Sequence, residues 1–263
     1  MCPPDYYRVD YVINPWMKVG SVNTSLAKKQ WGDLYAAYRS LGVTVHLITP
    51  DAKFPDQVFA TDQGVVIDGK IFLSRFAHDE RKGETSAYLS AFGDLGLEVI
   101  ESPSTGLMLE GGDVLRFGKN GVLIGHGKRT NMSGLTYVQE QTGLDVLPIT
   151  LANDEYYHLD TCVFPLNEEV VFYSPAGISE ESAELLEATF PVCLEFTEAE
   201  ARNFASNSVV IGDTVLVQAG NRQFIRALKA HGFDTIELDM SEFMKSGGGI
   251  HCLTLIVGHA GSN

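Results

Sequence analysis

The sequence predicts an α/β fold in which strand–strand–helix–strand units repeat around a closed ring. Four segments read as apolar, β-prone runs broken by turn residues. Each is followed by a helical stretch and then by one further short apolar strand. The turns recur roughly every 45 to 50 residues, a spacing that marks repeated architecture.

The first unit runs from VVIDGKIFLSR (Val65 to Arg75), with Asp68-Gly69 as its hairpin turn, through ETSAYLSAFGDLG to LEVIES. The second is DVLRFGKNGVLIGHG (Asp113 to Gly127), RTNMSGLTYVQEQTG and LDVLPIT. The third is CVFPLNEEVVFYSPAG (Cys162 to Gly177), turning at Asn167, then SEESAELLEATF and VCLEFT. The fourth is SVVIGDTVLVQAG (Ser208 to Gly220), turning at Gly212-Asp213, then NRQFIRALKAHG and DTIELDM. A fifth unit is expected from the two ends. LTLIV near the C-terminus would pair with DYVINP near the N-terminus, ahead of the helix SLAKKQWGDLYAAYRSLG and the strand VTVHLI. A ring closed in this way leaves no exposed sheet edge. No linker or composition break divides the chain, so a single domain over residues 1–263 is expected.

The chain has 263 residues, a net charge of -15 and 44% hydrophobic residues. The acidic balance and the lack of a Lys/Arg cluster argue against nucleic acid or an anionic membrane as partner, and they favour a cationic ligand. No apolar run is long enough to span a bilayer, and the first residues do not read as a leader. Cys2, Cys162, Cys193 and Cys252 have no framework spacing, which suits a reducing, cytoplasmic setting.

Chemistry is expected on the segments before the hairpins, which converge at one end of such a ring. KFPDQVFATDQG carries Asp56 and Asp62; STGLMLEGGDV carries Glu110 and Asp113; NDEYYHLDTC carries His158 and Asp160. The fourth equivalent, EARNFASNS, is polar without carboxylate pairs near the strand. The last is SGGGIHCLTLIV, where Gly247 to Gly249 lead into His251 and Cys252. Three glycines mark a place of close backbone approach, and Gly249 is expected to line a bare wall beside Cys252. A thiol, an imidazole and several carboxylates at one centre suit attack on a guanidinium. Carboxylates hold its planar fork, the thiol attacks its carbon, and His158 moves protons. A zinc site from His158, Asp160, His251 and Cys252 is the rival, but it lacks paired ligand spacing. No cofactor or metal is expected. His46, His78, His126, His231 and His259 are expected to be structural, and the His251 ring to point away from the pocket.

FATD, LEGGDV, IGHGKRTN, HLDT and GGGIHCLT together resemble the guanidine-modifying enzymes of the pentein fold, a five-fold pseudosymmetric β/α-propeller. These are dimethylarginine dimethylaminohydrolases, arginine deiminases and amidinotransferases. The resemblance covers nearly the whole chain, and length together with PDQVFATD…ERKGET is most similar to the dimethylarginine hydrolases. It implies Cys252 as nucleophile, His158 as general acid/base and Glu110 as a carboxylate on the guanidinium. Asp62 and Asp160 would be further carboxylates there, and Arg75 and Arg129 would grip the substrate's α-carboxylate. Two departures stand out: Thr61 where those hydrolases carry an acidic residue, and Asp160 where they carry a non-acidic one. The extra aspartate suits an unmethylated guanidinium, so arginine itself is an expected substrate. INPWM with Asn14 resembles the opening of cyanobacterial arginine dihydrolases, whereas Asp62 stands where those have an asparagine nearby. Amidino transfer to an amine shares the covalent half-reaction. A non-catalytic ring, as in the pentein-fold translation initiation factor six, has no need of this residue set. The expected partner is thus a small guanidino compound, and a homo-oligomer is left open.

Overall fold

The computed structural model describes residues 1–101 and 105–258. His259, expected to be structural, lies outside the described residues. Four three-stranded sheets follow one plan: an antiparallel hairpin, a helix, and a third strand returning parallel to the second. They are β1 (Gly64–Ile67), β2 (Lys70–Leu73) and β3 (Glu98–Ile100), then β4 (Val114–Phe117), β5 (Gly121–His126) and β6 (Asp145–Thr150). The third is β7 (Val163–Pro165), β8 (Val170–Tyr173) and β9 (Val192–Glu195), and the fourth β10 (Val209–Ile211), β11 (Thr214–Gln218) and β12 (Asp234–Leu238).

The hairpins form where turn chemistry allows them. Ile67 pairs with Lys70 across Asp68-Gly69, and both turn residues adopt positive φ, the backbone that matches the twist of paired strands. Ile211 likewise pairs with Thr214 across Gly212-Asp213. Helices α1 (Thr24–Ser40), α2 (Glu84–Asp94), α3 (Met132–Thr142), α4 (Glu180–Thr189), α5 (Glu198–Arg202), α6 (Arg222–Ala230) and α7 (Ser241–Met244) complete the chain. Side-chain caps start several of them: Asn23, Asn131 and Ser179 accept from the backbone N–H of Leu26, Gly134 and Ser182. Each helix buries one face. In α6, Phe224, Ile225 and Leu228 pack on the cluster that also holds Val171, Phe172 and Val215.

The fifth unit departs from expectation. Helix α1 is present, but neither LTLIV, DYVINP nor VTVHLI forms a strand. Instead the Met1 amine donates to the His46 carbonyl and the Ile48 N–H donates to the Met1 carbonyl. After Cys252 the chain stays in a turn, with the Leu253 and Thr254 N–H groups bonded to the carbonyls of Gly249 and His251. Those bonds turn the chain at residues 251–253, and residues 254–258 beyond them are in no strand. Side chains close this unit: Tyr38 of α1 bonds Thr254, and Leu255 packs beside Cys2, Ile48 and Ile71. Among the described residues no helix is long and apolar enough to cross a membrane.

Candidate active site around Cys252

A short 3₁₀ turn precedes each of the first three hairpins: Ala60–Gln63, Gly111–Asp113 and Leu159–Thr161. Glu110 and His158 both sit one residue ahead of their turns, so the repeat delivers them to equivalent places. Asp62 lies inside its own turn. The turns pack so closely that only glycine fits between them. A Cβ on Gly112 would lie 2.6 Å from His158 Nδ1 and 2.9 Å from Asp62 Oδ1, and one on Gly111 would lie 2.0 Å from the Thr61 carbonyl. Gly-Gly in LEGGD is therefore what lets these side chains meet.

His158 is wholly buried; its Nε2 lies 2.8 Å from Glu110 Oε2, and its Nδ1 lies 3.6 Å from Asp62 Oδ1, too far for a hydrogen bond. Burial alone would pull the imidazolium down. The Asp62 charge, the Glu110 hydrogen bond and the Asp113 charge outweigh it and hold His158 up at about 9. Glu110 answers in kind: burial pushes it up, but His158, Arg129 and Arg81 hold it at about 2. The pair is therefore an imidazolium–carboxylate pair at neutral pH. Asp113 fixes the arrangement by accepting from the Leu159 N–H at 3.0 Å.

Cys252 is 1% exposed. Its Sγ lies 3.2 Å from Asp160 Oδ2 as donor and receives the Asn207 amide at 3.1 Å, while Asn207 Oδ1 accepts the Cys252 N–H. Burial and the charges of Asp160 and Asp62 push the thiol well above its ordinary range, so without ligand Cys252 is protonated. The His251 ring turns one edge to the centre, with Nδ1 2.8 Å from Asp160 Oδ2, while its side chain also lines a separate cavity. A hydrogen-bonded acceptor one residue-layer away outcompetes solvent for that ring.

Arg81 is 3% exposed and grips Asp62 Oδ2 and Glu84. Asp62 Oδ1, Asp160 Oδ1 and His158 Nδ1 are left buried without a hydrogen-bond partner. A buried carboxylate oxygen in that condition carries a free-energy cost that a cationic donor would relieve.

The remaining candidates take different places. Arg129 is 3% exposed, bonded to Glu110 at 3.2 Å and to the Ile13 carbonyl, and lies over the Tyr157 ring. Arg75 is exposed, its backbone paired with Leu109 beside Glu110. Asp56 is buried and accepts from Tyr11, and burial pushes it up to about 7 despite Arg81. Asn14 bonds the Ser246 carbonyl, and Trp16 of the same segment bonds the Glu155 carbonyl, so residues near 11–17 span the site. Gly249 does not front open space: a Cβ there would lie 3.0 Å from Asn207 Oδ1. Cβ atoms on Gly247 and Gly248 would strike Tyr157 and Phe59 at 2.8 and 2.5 Å, so the glycines admit side chains rather than a ligand. The residues of the rival zinc site divide, His158 to Glu110 and the other three into one chain. Among the described residues no group of three or more His, Cys, Asp or Glu is placed to hold a metal ion.

Asn207 and Arg81 escape a sequence reading. Asn207 stands two residues before β10, as Asp62 stands two before β1, so aligning the repeats would have found it. Arg81 lies in ERKGET, a segment that carries part of the resemblance but none of the expected site residues.

The family model described as N,N dimethylarginine dimethylhydrolase, eukaryotic, matches residues 8–257. A dimethylarginine dimethylaminohydrolase of Mycobacterium tuberculosis is 35% identical over 97% of this chain and 84% of its own length. The bifunctional arginine dihydrolase/ornithine cyclodeaminase AgrE of Nostoc sp. is 35% identical over 98% of this chain, which spans 37% of that protein. The solved N-terminal domain of the cyanobacterial arginine dihydrolase ArgZ superposes with a TM-score of 0.94 at 34% identity, covering 98% of this chain and 96% of that one. A match through almost the whole chain, on the repeated fold described above, settles its kinship: the chain belongs to the N,N-dimethylarginine dimethylhydrolase family.

Proposed function

We propose that this chain, acting as one domain, is a cysteine-dependent hydrolase of the guanidino group of arginine and N-methylated arginines, with unmethylated arginine turned over at least as well. The observation that carries this is the pair of buried, unpartnered carboxylate oxygens, Asp62 Oδ1 and Asp160 Oδ1, around the Cys252 thiol. An unmethylated guanidinium has N–H donors for both; methylation removes donors from one nitrogen.

The same charges set the order of events. Asp160 and Asp62 oppose ionisation of Cys252 until a cation arrives between them. Guanidinium binding cancels that opposition, so the thiol loses its proton when its target is in place. The Sγ–carbon bond forms, and His158, protonated through Glu110, delivers its proton to the departing nitrogen, releasing ammonia or the methylamine. Neutral His158 then takes a proton from water, the hydroxide adds to the amidino carbon, and the C–S bond breaks to give citrulline and free Cys252. Glu110 holds the imidazole in place throughout. Asp56 and Arg129, with Arg75 at the rim, are assigned to the amino-acid end of the substrate, and Asn14 to the segment over it. The similarity to arginine dihydrolases favours a second outcome on the same site, onward hydrolysis to ornithine. The four free cysteines suit a reducing, cytoplasmic setting.

A substrate panel tests the reading: arginine, methylated arginines, agmatine and guanidino acids, scored for ammonia, amine, citrulline and ornithine. Citrulline from arginine with kcat/KM at least equal to that for dimethylarginine is expected. A kcat/KM for dimethylarginine far above that for arginine would overturn the substrate assignment. Product that forms only when an amine acceptor is added would make the chain an amidinotransferase.

A further inference from the structure

A cavity of about 590 Å³ runs along the first strands of the hairpins. Its outer part is lined by the exposed turn residues Asp68, Gly118 and Asn167, and its inner part by Thr61, Ser206 and His251. Each first strand thus has the Cys252 centre at its start and the cavity's outer part at its turn.

We propose that His251 carries protons between the Asp160–Cys252 pair and water in this cavity, separately from the buried Glu110–His158 pair. The inference rests on Cys252 being the nucleophile. Three observations support it. Cys252 Sγ, Asp160 Oδ2 and His251 Nδ1 form a continuous chain at 3.2 and 2.8 Å. The inner members are sealed at 1% exposure each, while the His251 side chain keeps 17% and lines the cavity. The cavity wall is mostly apolar, but Thr61, Ser206 and His251 supply polar partners for water at its inner end, and its outer end is formed by exposed turns.

The step balances. As the S–C bond forms, the thiol proton passes to Asp160 Oδ2 and on to His251 Nδ1, and the Nε2 proton leaves to cavity water. When the C–S bond breaks, the thiolate draws a proton back along the path while the hydroxyl proton leaves with the product, so the imidazole recovers its starting tautomer and the enzyme gains or loses no proton per turnover. The charged groups facing the ring are Asp160 on its inner side and, farther along the cavity wall, Asp68 and Arg116. Methylated or not, the substrate makes the same demand on this path, because the proton concerned belongs to the enzyme.

His251→Ala, checked for unchanged Tm, is expected to lower kcat about tenfold or more with KM for arginine little changed. Added imidazole, small enough for the cavity, is expected to restore kcat with saturation. Ile256→Trp, at an exposed position lining the cavity, is expected to weaken that rescue. His251→Gln leaves an amide able to hydrogen-bond Asp160 but cannot relay a proton, and is expected to match the alanine variant. A glutamine variant at wild-type activity, an undiminished alanine variant, or a deficit that imidazole leaves untouched would each overturn the inference. Iodoacetamide distinguishes the underlying reading. If it alkylates Cys252 and abolishes activity while imidazole rescue fails, only the proton path is wrong. Activity that survives complete alkylation of Cys252 removes the nucleophile itself.

Discussion

The two histidines of the site bond different carboxylates, Glu110 and Asp160, and meet opposite fates. His158 is sealed and surrounded by Glu110, Asp62 and Asp113, which hold it as an imidazolium up to about 9. His251 bonds one carboxylate and stays in contact with a cavity. A sealed histidine exchanges protons only with what enters the pocket, which suits protonating a leaving group. One that reaches a second compartment suits keeping the nucleophile's account with solvent. Residue type is identical; burial and carboxylate count assign the tasks.

The largest test of this division is Cys252→Ser, expected to abolish turnover by on the order of 10⁴-fold or more while the Tm is retained, since both histidines serve the thiol. Next is Glu110→Gln, which removes the hydrogen bond raising His158. Activity is expected to fall by about 10²–10⁴-fold, and the alkaline limb of the rate profile, expected in the native protein near the 9 of His158, to move to lower pH. The same group governs stability. His158 is raised from 6.5 to about 9, so its contribution is complete below 6.5 and is lost as pH climbs through 9. Thermal melts of His158→Asn should therefore differ from wild type at pH 6 more than at pH 10. Asp160→Asn is expected to raise KM for arginine about tenfold and to raise it less for dimethylarginine, narrowing the preference between them. Smallest is Arg75→Ala at the exposed rim. It should raise KM for arginine by less than about tenfold and leave agmatine, which lacks a carboxylate, unchanged.

Most of the ring was legible because its signals are local. Asp68-Gly69 and Gly212-Asp213 force hairpins wherever apolar runs flank them, and the helices carry their own caps. The fifth unit was not, because its closure depends on Tyr38 meeting Thr254 and Leu255 meeting Ile48, contacts between distant segments that no periodicity announces. The same limit appears in the site. Glu110, His158, Asp62 and Asp160 are chemically conspicuous before hairpins, as Cys252 is after its three glycines, and hydrogen bonds and close contacts link them into two groups. Asn207, which touches Cys252 from two atoms, is an uncharged residue in a polar loop. Gly247 to Gly249 read as open wall because a sequence shows missing side chains but not which neighbours fill the space, here Tyr157, Phe59 and Asn207. The direction of the His251 ring depended likewise on a carboxylate 91 positions away in sequence.

The covalent step is the centre of the account, and intact-protein mass spectrometry on rapidly quenched reactions with arginine addresses it most directly. The account predicts a transient amidino adduct, mapped by digestion to the peptide containing Cys252, that forms no more slowly than turnover and is absent in Cys252→Ser. Steady turnover of arginine with no adduct on Cys252 at any quench time, and with the serine variant still active, would contradict it.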